Sequence, residues 1–123
     1  MSWLGVWKNQ YGSLVTITTE AEGRIEGSFK TALKDSAFYG QEVPVVGVWQ
    51  GNCISFASVG RGPAGDMVVS YTGLLRDGRM ETLWFFAADA ALGAAGAGAP
   101  AQVKELGWWR AVTINADSFE RQA

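Results

Sequence analysis

Two polar constellations lie near opposite ends of this chain. The first is Trp7-Lys8-Asn9-Gln10-Tyr11-Gly12-Ser13, and the second runs from Trp109 to Asp117-Ser118-Phe119. Both place amide, hydroxyl or carboxylate groups at even spacing on stretches that otherwise read as strand. Residues two apart on a strand share a face. Asn9, Tyr11 and Ser13 are therefore expected on one side, as are Trp109 and Asp117 if their strand is unbroken. Polar groups turned into a barrel interior are costly unless something there bonds them. The usual occupants are water or a ligand, so the chemistry implied is hydrogen bonding to a small polar molecule.

Other chemistry is excluded by composition. The chain has no histidine, which removes the usual general base, serine–histidine triads and the commonest metal ligand. A single cysteine, Cys53, rules out an internal disulfide or a thiolate zinc site. Free cysteine is usually buried, and Cys53 is expected to pack in the core. No nucleophile–base spacing is present, so the chain reads as a non-enzyme with no cofactor and no metal. The net charge is −2 and the ten basic residues are scattered, so neither nucleic acid nor an anionic membrane is an expected partner. No apolar run spans a bilayer, and no charged segment followed by an apolar one marks an export signal.

The positioning elements read as all-β. Strand-like runs fall near residues 3–8, 12–19, 24–30, 44–50, 53–60, 67–75, 79–87 and 107–116. Glu22-Gly23, Gly51-Asn52 and Asp77-Gly78 are turn signals that imply hairpins. Eight short antiparallel strands in series, in one domain of residues 1–123, predict an up-and-down β-barrel closed on itself. A sandwich is the alternative. Two longer connections interrupt the meander, a mixed polar one at 34–43 and an Ala/Gly-rich one at 88–106. Either the second is a plain surface excursion or it covers the barrel mouth. Leu83-Trp84-Phe85-Phe86 and Trp108-Trp109 are apolar on both strand faces. One face fills the barrel, and the other predicts a subunit interface and a homo-oligomer.

Five motifs in order resemble the avidin/streptavidin family of biotin-binding proteins. Gly5-Val6-Trp7-Lys8-Asn9-Gln10-Tyr11-Gly12-Ser13 is similar to the family's G-x-W-x-N-x-x-G-S opening, and Gly27-Ser28-Phe29-Lys30-Thr31-Ala32 to its G-x-Y-x-T/S-A stretch. Tyr71-Thr72-Gly73, Glu81-Thr82-Leu83-Trp84 and Trp109 to Phe119 follow. The resemblance implies an eight-stranded barrel that holds the bicyclic head of biotin. It casts Asn9 and Ser13 as donors to the ureido oxygen, Thr31 and Asp117 as acceptors of the ureido N–H groups, and Trp84 and Trp109 as apolar walls. Phe29, Tyr71 and Phe86 complete the candidate lining. The tryptophan matching Trp109 reaches a neighbouring subunit in the family's tetramers, which favours a tetramer over a dimer. The resemblance also implies secretion or a periplasmic site, with the cytoplasm as the alternative because this sequence carries no export signal.

Departures from the family pattern weaken the expected grip. Phe29 stands where the family has a tyrosine, which removes one donor. A wall tryptophan falls near Gly60, the hydroxyls that meet the ligand's sulfur and tail fall near Val69 and Met67, and Tyr71 replaces another tryptophan. Together these changes remove about 5–9 kcal/mol from a family that approaches the non-covalent ceiling, leaving nanomolar to micromolar binding on the order-of-magnitude scale. Tyr11 replaces a small aliphatic residue and admits several readings. Its phenol supplies the donor lost at Phe29, its ring plugs the cavity, or it packs against the barrel wall. A different small hydrophobic ligand or cyclic urea, or a structural oligomer with a plugged pocket, is the alternative to biotin.

Overall fold

The computed structural model describes residues 2–32, 40–62, 65–88, 90–92, 103–105 and 112–122. The strands are β1 (Gly5–Asn9), β2 (Leu14–Ala21), β3 (Arg24–Lys30), β4 (Glu42–Gln50), β5 (Cys53–Gly62), β6 (Gly65–Arg76), β7 (Arg79–Ala88), β8 (Ala90–Leu92), β9 (Val103–Glu105) and β10 (Val112–Arg121). Eight of them close into an antiparallel barrel in the order β1-β10-β7-β6-β5-β4-β3-β2, and β8 and β9 form a separate two-stranded hairpin. The predicted up-and-down barrel is the fold, and a sandwich is excluded.

Local chemistry explains the meander. Glu22 and Gly23 turn β2 into β3 with φ of 55° and 74°, and Asp77 and Gly78 turn β6 into β7 with 53° and 77°. Positive φ at both central residues is the hairpin geometry whose twist matches the flanking strands. Alternate residues then point inward. Ile25 and Phe29 on β3, Val43 and Val45 on β4, Ile54 and Phe56 on β5, and Met67, Val69 and Tyr71 on β6 are all buried. A Cβ at Gly73 would run into the Glu81 backbone carbonyl of β7. Glycine there permits the close approach that curvature of a small barrel requires.

One end of the barrel is packed solid. Trp3 and Trp7 are fully buried with Phe119 and Met80, and Trp7 Nε1 donates to the Trp3 carbonyl at 2.9 Å. The Arg121 guanidinium lies 4.4 Å from the Trp7 ring centroid and donates to the Leu4 and Ser2 carbonyls. The polar constellations sit toward the other end.

Four expectations need correction. The last barrel strand is Val112–Arg121 rather than 107–116, because Asn115, Asp117 and Ser118 read as turn formers but pair in register with Trp84, Thr82 and Glu81 of β7. The 88–106 connection contains the β8–β9 hairpin, whose alanines carry little strand signal. Asn9, Tyr11 and Ser13 do not share a strand face, since β1 ends at Asn9 and β2 begins at Leu14. Cys53 is exposed: the alternation that buries Ile54 and Phe56 turns it outward. Trp108, Trp109 and residues 33–39 and 93–102 lie outside the described residues.

Candidate functional site

A cavity of about 90 Å³ opens at the polar end of the barrel. It is lined by Asn9, Tyr11, Ser13, Phe29, Thr31, Val69, Tyr71, Trp84, Phe86 and Asp117. Nine of the ten residues expected from sequence therefore meet around one space. The tenth, Trp109, lies outside the described residues.

The first constellation converges through a turn rather than through strand alternation. Asn9 Oδ1 accepts the backbone N–H groups of Tyr11 at 3.0 Å and Ser13 at 2.9 Å. An asparagine bonding the main chain just beyond itself is the Asx pattern that replaces a strand ladder with a tight reversal. Two backbone bonds reinforce it, from Gly12 N to Asn9 O and from Asn9 N to Ser13 O, both 3.0 Å. Gly12 carries the positive φ of 89° that the reversal needs. The turn leaves Tyr11 52% exposed at the rim, so Tyr11 does not plug the barrel.

Asn9 also reaches the far end of the chain. Its Nδ2 donates to Asp117 Oδ2 at 3.0 Å across the seam between β1 and β10. Gln10 Nε2 donates to Asp117 Oδ1 at 3.2 Å and to the Ala116 carbonyl at 3.2 Å, while its Oε1 accepts from Ser118 N at 3.0 Å. The backbone of Asp117 is fixed separately, because Thr82 Oγ1 donates to its carbonyl at 3.0 Å. Beside Asn9, Ser13 Oγ accepts from Ala32 N at 2.9 Å and lies 3.3 Å from Thr31 Oγ1.

Asp117 is 6% exposed, and burial raises its carboxyl above the usual carboxylate value. Hydrogen bonds from Asn9 and Gln10 and the nearby indole of Trp84 act the other way. The Trp84 Nε1 is itself buried without a hydrogen-bond partner. Burial, and secondarily the Asp117 charge, push the Tyr71 phenol up, so it stays protonated.

The arrangement suits a small neutral molecule with an acceptor at one place and N–H donors at another. The Asn9 amide and the Ser13 hydroxyl can each offer a further donor hydrogen, and the Asp117 carboxylate beside Asn9 offers acceptors. The rest of the lining is apolar, with Phe29, Val69, Trp84 and Phe86 forming walls. Polar groups held by their own backbone and side-chain bonds lose little freedom when a ligand arrives.

Sequence reading left Gln10, Thr82 and Val69 out of the candidate set, although the resemblance had placed Val69 near the ligand's sulfur and tail. Thr82 and Val69 were legible from alternation: Thr82 lies two before Trp84, and Val69 two before Tyr71. Gln10 carried no such signal, because it acts from the turn.

A model of the Avidin family matches residues 1–95. The chain belongs to that family. Structures similar to it include a bradavidin2–biotin complex (18% identity, 100% of each chain covered, TM-score 0.73). A rhizavidin–biotin complex is similar as well (19% identity, 99% of this chain and 93% of that one, TM-score 0.73). So is apo shwanavidin (21% identity, 100% of this chain and 98% of that one, TM-score 0.74). At such identities the structures establish the shared barrel, which extends past residue 95 through β10 and Asp117. Comparison with functionally curated proteins finds no match.

Proposed function

We propose that this avidin-family chain binds biotin non-catalytically, through the ureido head in the barrel cavity. The observation that carries the reading is the convergence of Asn9, Ser13, Thr31 and Asp117 on one polar patch of an otherwise aromatic cavity. A cyclic urea is planar and neutral, with one strong acceptor oxygen and two N–H donors. Asn9 and Ser13 serve the oxygen, and Thr31 and Asp117 take the N–H groups. Asp117 is the strongest partner, since a charged acceptor makes shorter and stronger hydrogen bonds. Trp84, Phe86 and Phe29 enclose the ring, and Trp109 is assigned to the wall by resemblance alone.

Affinity is expected to fall short of the roughly −18 kcal/mol reached by the tightest non-covalent complexes, because Phe29 offers no hydroxyl and Val69 offers no polar contact. The cavity volume supports a second reading. About 90 Å³ is well below the roughly 300–1,000 Å³ of pockets that enclose whole drug-sized ligands. A small cyclic urea fits that space, whereas biotin must leave its tail outside. Calorimetric titration with biotin and with 2-imidazolidinone tests both. Saturation near one biotin per chain supports the first reading, and saturation by the simple urea alone supports the second. No heat with either refutes the site.

The outer face supports a homo-oligomer. Val46 and Val48 of β4, Val59 of β5, Val68 of β6, Leu83 and Phe85 of β7 and Ile114 of β10 are exposed. Val59 pairs with Val68, and Phe85 with Ile114. An apolar face spread over five adjacent strands is what a second copy of the chain would cover.

A further inference from the structure

The hydroxyl groups around the cavity are not equally occupied. Ser13 and Thr31 face each other, and Ser13 also holds the Ala32 N–H. Tyr11 stands half-exposed at the rim. Tyr71 differs from all of these. The residue is 6% exposed, yet its hydroxyl makes no hydrogen bond to any described residue. Nor is that oxygen sealed in. Among the described residues, the buried side-chain polar atoms without a partner are the indole nitrogens of Trp3, Trp49 and Trp84. The Tyr71 oxygen is not one of them, so it opens onto the cavity that the residue lines.

Four rings fix the phenol in place. Tyr71 stacks on Phe56 with centroids 5.0 Å apart and 18° between planes, and meets Phe119 edge-on at 5.8 Å. Phe29 and Trp84 flank it at 6.0 and 6.5 Å. Phenylalanine would fill this aromatic cage equally well. The hydroxyl therefore adds nothing to the packing, and no hydrogen bond to a described residue accounts for it. A clamped O–H donor at a cavity wall is organised to meet an acceptor there with little loss of freedom.

We propose that the Tyr71 hydroxyl is a ligand-binding donor of this cavity, directed at the acceptor oxygen of a cyclic urea beside Asn9 and Ser13. It supplies from β6 the hydroxyl that Phe29, its neighbour on β3, does not carry. The assignment rests on the reading of the cavity as a ureido site. It also sets specificity, since a ligand with an N–H in place of the urea oxygen would oppose donor to donor.

The test is calorimetric titration of biotin and 2-imidazolidinone into the full chain, Tyr71→Phe, Asp117→Ala and the double variant Phe29→Tyr/Tyr71→Phe, with thermal unfolding of each ligand-free protein. Tyr71→Phe is expected to weaken binding about five- to tenfold, the equivalent of one hydrogen bond. Its ligand-free melting temperature should be unchanged or higher, because no internal bond is lost. The double variant should recover most of the affinity, since the hydroxyl moves to the adjacent ring. An affinity within twofold of wild type in Tyr71→Phe, while Asp117→Ala loses binding, overturns the Tyr71 assignment and leaves the ureido site standing. A marked drop in the ligand-free melting temperature of Tyr71→Phe shows a structural hydroxyl and also overturns it. Loss in Tyr71→Phe without recovery in the double variant overturns the assignment to the urea oxygen. No binding of either probe by the wild-type chain removes the ureido reading and this proposal with it.

Discussion

Replacing Asp117 with alanine separates the site from the fold. Its carboxylate takes one hydrogen bond from Asn9 at 3.0 Å and one from Gln10 at 3.2 Å. A carboxylate offers about four lone-pair directions, so two are open to a ligand N–H. A hydrogen bond to a charged acceptor contributes about 1.5–3 kcal/mol, and losing it should weaken biotin binding about 10- to 150-fold. Stability should change little. Thr82 bonds the Asp117 backbone carbonyl rather than the carboxylate, so β10 keeps its register on β7. Asn9 Nδ2 and Gln10 Nε2 each lose a partner, but Gln10 keeps the Ala116 carbonyl and a carboxylate that burial disfavours is removed as well. The assay is calorimetric titration of Asp117→Ala beside the wild-type chain, with circular dichroism to confirm the barrel. A native spectrum with affinity within threefold of wild type would refute the placement of the ligand.

Three further outcomes are expected. Because folding raises the Asp117 pKa above its ordinary 3.8, the folded chain holds that proton more tightly than the unfolded chain. This group's contribution to stability therefore declines as pH rises from 3.8 through the raised value. Ligand affinity should run the opposite way, falling as pH drops through that raised value because the N–H acceptor is lost; titrations across mildly acidic pH check this, and Asp117→Ala should give a flat profile. Gln10→Ala removes bonds to the Ala116 carbonyl, the Asp117 carboxylate and the Ser118 N–H; it should weaken binding about three- to tenfold by loosening Asp117, about 1 kcal/mol in calorimetry. Phe85→Glu combined with Ile114→Glu puts like charges on a cross-strand pair of the outer face, and sedimentation should show the oligomer dissociating while the barrel persists.

The fold was legible because the sequence repeats one local instruction. Alternating inward residues and two-residue turns such as Asp77-Gly78 recur along the chain, and closure follows once eight such strands must cover their edges. The last strand was misplaced because Asn115, Asp117 and Ser118 are turn formers by type, and only pairing with β7 holds them extended. The site was legible as a residue set but not as a mechanism of placement. Asn9, Tyr11 and Ser13 meet at the cavity through an Asx turn that breaks the strand, where even spacing had suggested one continuous face. Cys53 was misread because a residue-type preference was set against strand alternation, and alternation decides exposure once Ile54 and Phe56 face inward.

The position of the site explains why its two halves lie at opposite ends of the chain. β1 and β10 pair over only three positions, Trp7 with Arg121, Lys8 with Glu120 and Asn9 with Phe119. That is a short seam beside the ten pairs that join β6 to β7. Side chains complete the closure where the ladder stops. Arg121 locks the packed end over Trp7, and Asn9 and Gln10 reach Asp117 and its neighbours at the cavity end. Asn9 and Asp117, which close the barrel there, also line the cavity. A ligand that bonds both Asn9 and Asp117 spans the seam as well as the cavity. Its binding free energy then adds to barrel closure, and by linkage the unfolding temperature rises with ligand concentration. The burial that makes Asp117 a strong acceptor also disfavours its charge in the empty barrel. On the proposed reading, N–H groups of a urea donated to that carboxylate would favour its charged form.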